Sequence, residues 1–234
     1  MASIVRSTLL DTLGWVDYAF QSAGEAPPEN AAYGHQRHTA TVVRDNENYP
    51  PKRCESDGVI GAGERPVAVY TADCLPVLIA DTRQKNVAAV HAGLNGTLAG
   101  ILYRAVEQLC MSETTPNDLY VAIGPAIAPC CYELGKDKLA EIEQKVSLPL
   151  RWRYEQPCNP FSIRPQAQAT QQGIWFDLPW LAIQMLMDAG VPEAQIENLG
   201  FCTYCMAEAG SSYRLNSHSY SGYQSRYSWI RRNS

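Results

Sequence analysis

The chain has 234 residues, 46% hydrophobic and 18% charged, with a net charge of −5 and 19 Lys and Arg. The length suits one large or two modest globular domains, and the scattered basic residues exclude the clustered face that a nucleic-acid partner calls for. No apolar run approaches the ~20 residues of a membrane span. The start, M-A-S-I-V-R-S-T-L-L, has no convincing cleavage site. The expectation is a cytoplasmic protein with no membrane partner, whose eight cysteines are thiols or ligands rather than disulfides.

Residues 1–37 have weak periodicity, and A-G-E-A-P-P-E-N-A-A-Y-G reads as a loop. His35, Gln36, Arg37 and His38 lead into T-A-T-V-V, a β-branched run expected as a strand. The segment R-D-N-E-N-Y-P-P-K-R-C-E-S-D is polar and turn-rich. Gly58, Gly61 and Gly63 then mark a tight passage into a strand at 67–71. Leu75 to Ala80 and Val87 to His91 read as strands joined by a turn too short for a helical crossover, so they should pair as an antiparallel hairpin. Leu98, Ile101, Leu102, Ala105, Val106 and Leu109 share one helical face, with Thr97 as the expected N-cap.

Leu119 to Ile123 is a further strand, running into the apolar loop G-P-A-I-A-P-C-C-Y-E-L-G. A charged helix is expected over 136–146, and 147–172 should be irregular. Asp177 caps a helix whose face holds Leu178, Leu181, Ala182, Met185 and Leu186, with Gly190 ending it. Ile196 to Phe201 reads as a short strand, followed by C-T-Y-C, S-S-Y-R and a terminal strand Y-Q-S-R-Y-S-W-I. Without repeats or low-complexity linkers, the prediction is one α/β domain over residues 1–234.

Cys74 and His91 sit where the two hairpin strands meet turns, so their side chains can converge on a metal. A third ligand must come from His35, His38 or His218; His38 precedes a strand, as a ligand at a sheet end would. Three protein ligands with one position left to water is the catalytic zinc pattern, and a buried Cys and a core His is the plain alternative. Cys202 and Cys205 form C-x-x-C, with Cys130 and Cys131 as conceivable partners for a closed site. Adjacent cysteines are poor joint ligands because successive side chains diverge, and one isolated C-x-x-C lacks a second matching pair, so buried or loop thiols are the favoured reading. H-A-G-L-N-G-T is a strand-to-helix glycine turn that either favours an anion or simply permits the bend. Asp73, beside Cys74, and the Glu55/Asp57 pair are the candidates for proton transfer; an acid next to a metal ligand either orients a ligand or solvent or simply caps a turn.

T-A-D-C-L-P-V, then A-A-V-H-A-G-x-x-G-T-x-A-G-I, then G-P-A-I-A-P-C-C-Y-E-L-G resemble the laccase-domain family, also called multicopper polyphenol oxidase, peptidoglycan editing factor and purine nucleoside phosphorylase. H-Q-R-H-T-A-T-V-V resembles its Q-V-H-G segment, and F-D-L-P-W, C-T-Y and S-Y-R its C-terminal half, so the likeness covers about residues 34–230. The resemblance implies a mixed sheet flanked by helices and one metal, zinc or copper, on His38, Cys74 and His91. It also implies phosphorolysis of adenosine, inosine and methylthioadenosine, and deamination of adenosine, with purine nucleoside and phosphate as small-molecule partners. Gly93, Asn95 and Thr97 are the candidate substrate-binding positions. Phenol oxidation with copper, peptidoglycan-precursor editing and a non-catalytic metal-binding role are the alternatives. Three departures stand out: G-L-N-G replaces the usual G-W-R-G, so that Asn95 stands in place of an anion-gripping Arg; the N-terminal part is shorter; and Leu215 and Gly222-Tyr223 replace later Arg positions.

Overall fold

In the computed structural model, which describes residues 5–46, 51–206, 208 and 210–233, the two apolar runs form the middle of a sheet. Leu75–Asp81 (β5) and Val87–Ala92 (β6) pair antiparallel from Leu75↔Ala92 to Ala80↔Val87, as expected. Every residue of both strands is buried, which is why their sequences are nearly continuous in Val, Ile, Leu and Ala rather than alternating. Besides His91, Asp81 is the polar exception. It accepts from the amides of Arg83 and Gln84 and from the side chains of Asn86 and Thr114, and so shapes the turn.

Leu119–Ile123 (β7) lies antiparallel to β5, and Ile196–Asn198 (β11) lies parallel to β7. Gly58–Gly61 (β3) lies antiparallel to β6, and Val42–Arg44 (β2) parallel to β3. The six-stranded order is β11-β7-β5-β6-β3-β2. The glycines around 58 were expected in a turn, but two of them sit in a buried strand. A Cβ at Gly58 would stand 3.0 Å from Val42, and one at Gly61 2.9 Å from Val67. They mark close packing, not a bend.

The period of two along β5 sends successive side chains to opposite faces. Val77 and Ile79 meet the helices Ile101–Leu109 (α3) and Leu178–Asp188 (α5). Leu78 and Ala80 instead join Val67, Val69 and Ile230, which belong to a second, three-stranded antiparallel sheet. In that sheet Arg226–Arg232 (β12) runs between Val16–Phe20 (β1) and Val67–Thr71 (β4). Helices on one face and a small sheet on the other make the mixed α/β architecture.

Asp177 caps α5 by accepting from the Trp180 amide at 3.0 Å, and Gly190 ends it with φ +94°, as its sequence requires. The charged helix is Lys136–Lys145 (α4). Glu133–Leu134 (β8), Trp152–Arg153 (β9) and Ile174–Phe176 (β10) form a third small sheet at its base.

Several expectations are corrected. Thr97 is not an N-cap: it lies inside Leu94–Leu98 (α2), capped by Gly93, and Gly100 at φ +89° breaks the apolar stripe before α3 begins. Residues 1–37 hold Thr8–Asp11 (α1), capped by Ser7, and β1. The S-Y-R stretch opens the helix Tyr213–Ser219 (α6), capped by Ser212. The strand expected to reach Phe201 stops at Asn198. Part of the expected turn-rich segment, residues 47–50, lies outside the described residues. Among the described residues no helix is long and apolar enough to cross a membrane.

Candidate active site

The ligand atoms of His38, Cys74 and His91 all lie within 4.8 Å of one another. The hairpin register explains two of them: Pro76 pairs with His91, so Cys74, just before β5, reaches past the end of β6. His38 arrives from the turn before β2, and its ring stands 4.7 Å from that of His91 at 73°. Exposure is graded, from His38 at the surface through half-buried Cys74 to buried His91.

Asp57 gathers two of the three. Its carboxylate accepts from the backbone amides of Arg37, His38 and Thr39, from the Thr39 hydroxyl, and from His91 Nδ1 at 2.8 Å. Burial opposes its ionisation, but the bonds from His91, Thr39 and Arg37 outweigh that and hold it well below the usual carboxylate range. With Nδ1–H on Asp57, the lone pair of His91 Nε2 faces Cys74 and His38. The bonded carboxylate also offsets the left-handed backbone of His38, φ +60°, a conformation that typically costs about 1–3 kcal/mol.

Asp73, the neighbour of Cys74 in the chain, is anchored separately. Itself at φ +90°, it accepts from the Thr203 hydroxyl at 2.6 Å, the Ser212 hydroxyl at 3.0 Å and the Arg214 amide at 2.6 Å. Burial pushes the Cys74 thiol up to about 12, with the charges of Asp73 and Asp57 adding to it. Burial, then His91, lowers the His38 imidazole, favouring its neutral, ligand-competent form.

The three ligands open into a cavity of about 440 Å³, within the range of small-molecule sites. Tyr70, Tyr132, Tyr213 and Tyr223 supply aromatic walls, and Arg214 supplies a cation. The Arg214 guanidinium bonds the Glu133 carbonyl at 3.0 Å and lies over the Tyr132 ring. Gln36 fixes Tyr70 by pairing its amide with the Tyr70 backbone on both sides.

Of the three expected substrate-binding positions, Gly93 is at the site: a Cβ there would meet Cys74 Sγ at 2.7 Å, His38 at 3.0 Å and His91 Nε2 at 3.5 Å. Asn95 is exposed and Thr97 buried, and neither lines the cavity. His35 pairs through its backbone with the Cys54–Ser56 segment, and His218 rests against Tyr204. Glu55 is engaged by Arg37 at the surface. Asp57 orients ligands, and its bonded oxygens leave it a poor general base. The roles of Asp57 and Arg214 rest on contacts between residues far apart in the chain, with no local signal beyond their residue type.

The family model described as multi-copper polyphenol oxidoreductase laccase matches residues 18–231. The chain belongs to this family. A purine nucleoside phosphorylase of Synechocystis sp. is 32% identical over 183 residues, 74% of this chain and 67% of that protein. Adenosine deaminase RL5, from an unknown prokaryotic organism, is 32% identical over 139 residues, 59% of this chain and 48% of that protein. The matches thus span about half to two thirds of these relatives' own length. Among solved structures, YlmD from Geobacillus stearothermophilus superposes with a TM-score of 0.70 at 24% identity, covering 88% of this chain and 74% of that one. It shares the laccase-domain fold.

The donor set fits one ion. Two imidazole nitrogens and a thiol suit zinc or copper, and Gly93 leaves free the space that a Cβ would fill between all three ligands.

Proposed function

We propose that this laccase-domain protein is a zinc-dependent enzyme of purine nucleosides, cleaving them with phosphate and deaminating adenosine. The observation that carries this reading is the three-ligand group graded from exposed His38 to buried His91, opening into an aromatic cavity with a cation. The relatives named as a purine nucleoside phosphorylase and an adenosine deaminase support the substrate class.

Zinc held by His38, Cys74 and His91 supplies Lewis acidity and a more acidic bound water. The chain's own residues do the rest. Tyr213 and Tyr223, packed edge to face at 5.1 Å, offer faces for the purine ring. Arg214 keeps guanidinium donors beyond the one given to Glu133, and these orient phosphate in place of the Arg that Asn95 replaces. Asp57 holds His91 in the tautomer that ligates, and Asp73 fixes the backbone beside Cys74. The cytoplasm, where nucleosides and phosphate meet, is the compartment this reading assigns.

Copper at the same ligands, oxidising phenols, is the second reading, since a thiol with two imidazoles also suits copper. It ranks lower because the chain has four histidines, and among the described residues a single ligand group contains any.

The test is metal analysis of purified protein with adenosine turnover measured with and without phosphate. Adenine formed only with phosphate and inosine formed without it are expected, both lost in Cys74→Ala. Absence of both products from zinc-loaded protein overturns the reading and leaves a metal-binding protein without this turnover. Phenol oxidation restricted to copper-loaded protein establishes the second reading.

A further inference from the structure

On an extended chain, Cys130 and Cys131 would point apart. In the structure they converge with Cys202 and Cys205: the four Sγ atoms all lie within 4.8 Å of one another, and all four residues are buried. Cys131 Sγ is 3.5 Å and Cys130 Sγ 3.9 Å from Cys205 Sγ. The reason is a turn. The amides of Cys131 and Tyr132 both donate to the Ala128 carbonyl, so the two cysteines are not held on opposite faces of a strand. A second turn, closed by the Cys205 amide on the Cys202 carbonyl at 3.0 Å, brings the C-x-x-C pair together. The two loops are registered by the Ala126↔Cys202 bridge and by the Thr203 amide on the Ala126 carbonyl at 3.0 Å.

We propose that Cys130, Cys131, Cys202 and Cys205 form a second, closed metal site that binds one zinc ion through four thiolates. Four sulfurs at about 2.3 Å from a tetrahedral zinc stand about 3.8 Å apart, and the measured 3.5 and 3.9 Å bracket that value. A disulfide needs about 2.05 Å. A cluster of two or more irons spreads its cysteines wider than one ion does, so the compact group favours a single metal.

The surroundings are those of a thiolate site. The Ala167 amide donates to Cys131 Sγ at 3.5 Å, the Ala128 amide lies against Cys202, and the Ser162 hydroxyl against Cys205. Ile127, Ala167, Trp175 and Tyr204 seal the group in an apolar shell. No fourth position is left to solvent, so the site is structural. Zinc binding there releases the remaining thiol protons to water.

The position gives the site a purpose. Thr203 sits between Cys202 and Cys205 and donates to Asp73, the residue before Cys74. Zinc on the four cysteines therefore fixes the loop that braces the first site. The proposal stands apart from the purine reading, because its test counts metal rather than products.

The test uses His38→Ala/His91→Ala, which strips the first site and keeps all four cysteines. This variant is expected to retain one zinc per chain, released only as thiols are modified. Its cobalt-substituted form is expected to show thiolate charge-transfer and tetrahedral d–d bands, which adding Cys202→Ser/Cys205→Ser to the histidine variant removes. Should the serine variant fail to fold, the histidine variant still decides. A histidine variant without zinc, a mass two hydrogens lower from a disulfide among these cysteines, or an iron–sulfur absorption overturns the proposal.

Discussion

The chain brings soft ligands together twice, and the two groups differ in everything around them. The His38–Cys74–His91 group mixes nitrogen with sulfur, comes from three separate segments, and is exposed at one edge. The four-cysteine group is sulfur only, comes from two turns, and is sealed. Around the first stand two buried carboxylates, Asp57 and Asp73, each accepting several hydrogen bonds. Around the second stand apolar side chains. An open group needs outside help to keep its ligands aimed, because solvent and substrate must be free to enter. A closed group is held by its own four attachments. Under the two proposals, what separates a working site from a structural one is written less in the ligands than in what holds them.

The largest effect expected is from Cys74→Ala, which should lower metal content by one equivalent and turnover to background while the four-cysteine equivalent stays. Loss of both equivalents in metal analysis would break the separation between the two regions. Next is Asp57→Asn, which keeps the shape but removes the charge that holds His91 and three amides. Metal affinity at the first site should fall about 10–100-fold, read by competition with a chelator, with the second site unmoved.

Thr203→Val tests the strut between the regions. Leaving buried Asp73 short of one donor should lower stability by about 1–3 kcal/mol in urea unfolding. It should also reduce activity without removing either metal.

The smallest effect is expected at Glu197, whose partners belong to neither group. Burial opposes ionisation of Glu197, but the Ser7 hydroxyl, the amides of Leu9 and Thr8 and the Thr8 hydroxyl outweigh it and hold its carboxyl below the usual range. A lowered carboxyl stabilises the fold above its unfolded value of about 4.3, and that contribution is lost as pH falls through the lower folded value. Glu197→Gln should therefore lower the melting temperature slightly at neutral pH, and the gap from wild type should close in acid, with metal counts unchanged.

Much of the frame was legible because its strands are long and apolar. Leu75–Asp81 and Val87–Ala92 read as a hairpin from length and turn alone, and Asp177 and Gly190 announced both ends of α5. Short elements were not legible: α1 and α6 depend on capping by Ser7 and Ser212, whose hydroxyls resemble loop residues until a helix forms beneath them. Within the site, Cys74 and His91 were marked by soft residues at strand ends. His38 is favoured over His35 in the sequence only because it precedes a strand. The fold separates them, because Asp57 gathers amides 37 to 39. Asp57 itself lies 34 residues from His91, a distance at which sequence pattern carries no contact information. The cysteine quartet is visible in the sequence as a conceivable closed group, but adjacency argues against Cys130 and Cys131 as joint ligands until the turn at Ala128 is known.

The small sheet has a consequence for how the molecule is made. Its middle strand is β12, residues 226–232, and neither β1 nor β4 pairs with the other. During synthesis, at about 5–20 residues per second, β1 and β4 emerge long before the strand that joins them. Residues 38 to 91, which bring His38, Cys74 and His91 together, are likewise available early, whereas the cavity wall needs Tyr223 and Ser225 from far downstream. A growing chain can thus gather these three side chains before it has a pocket.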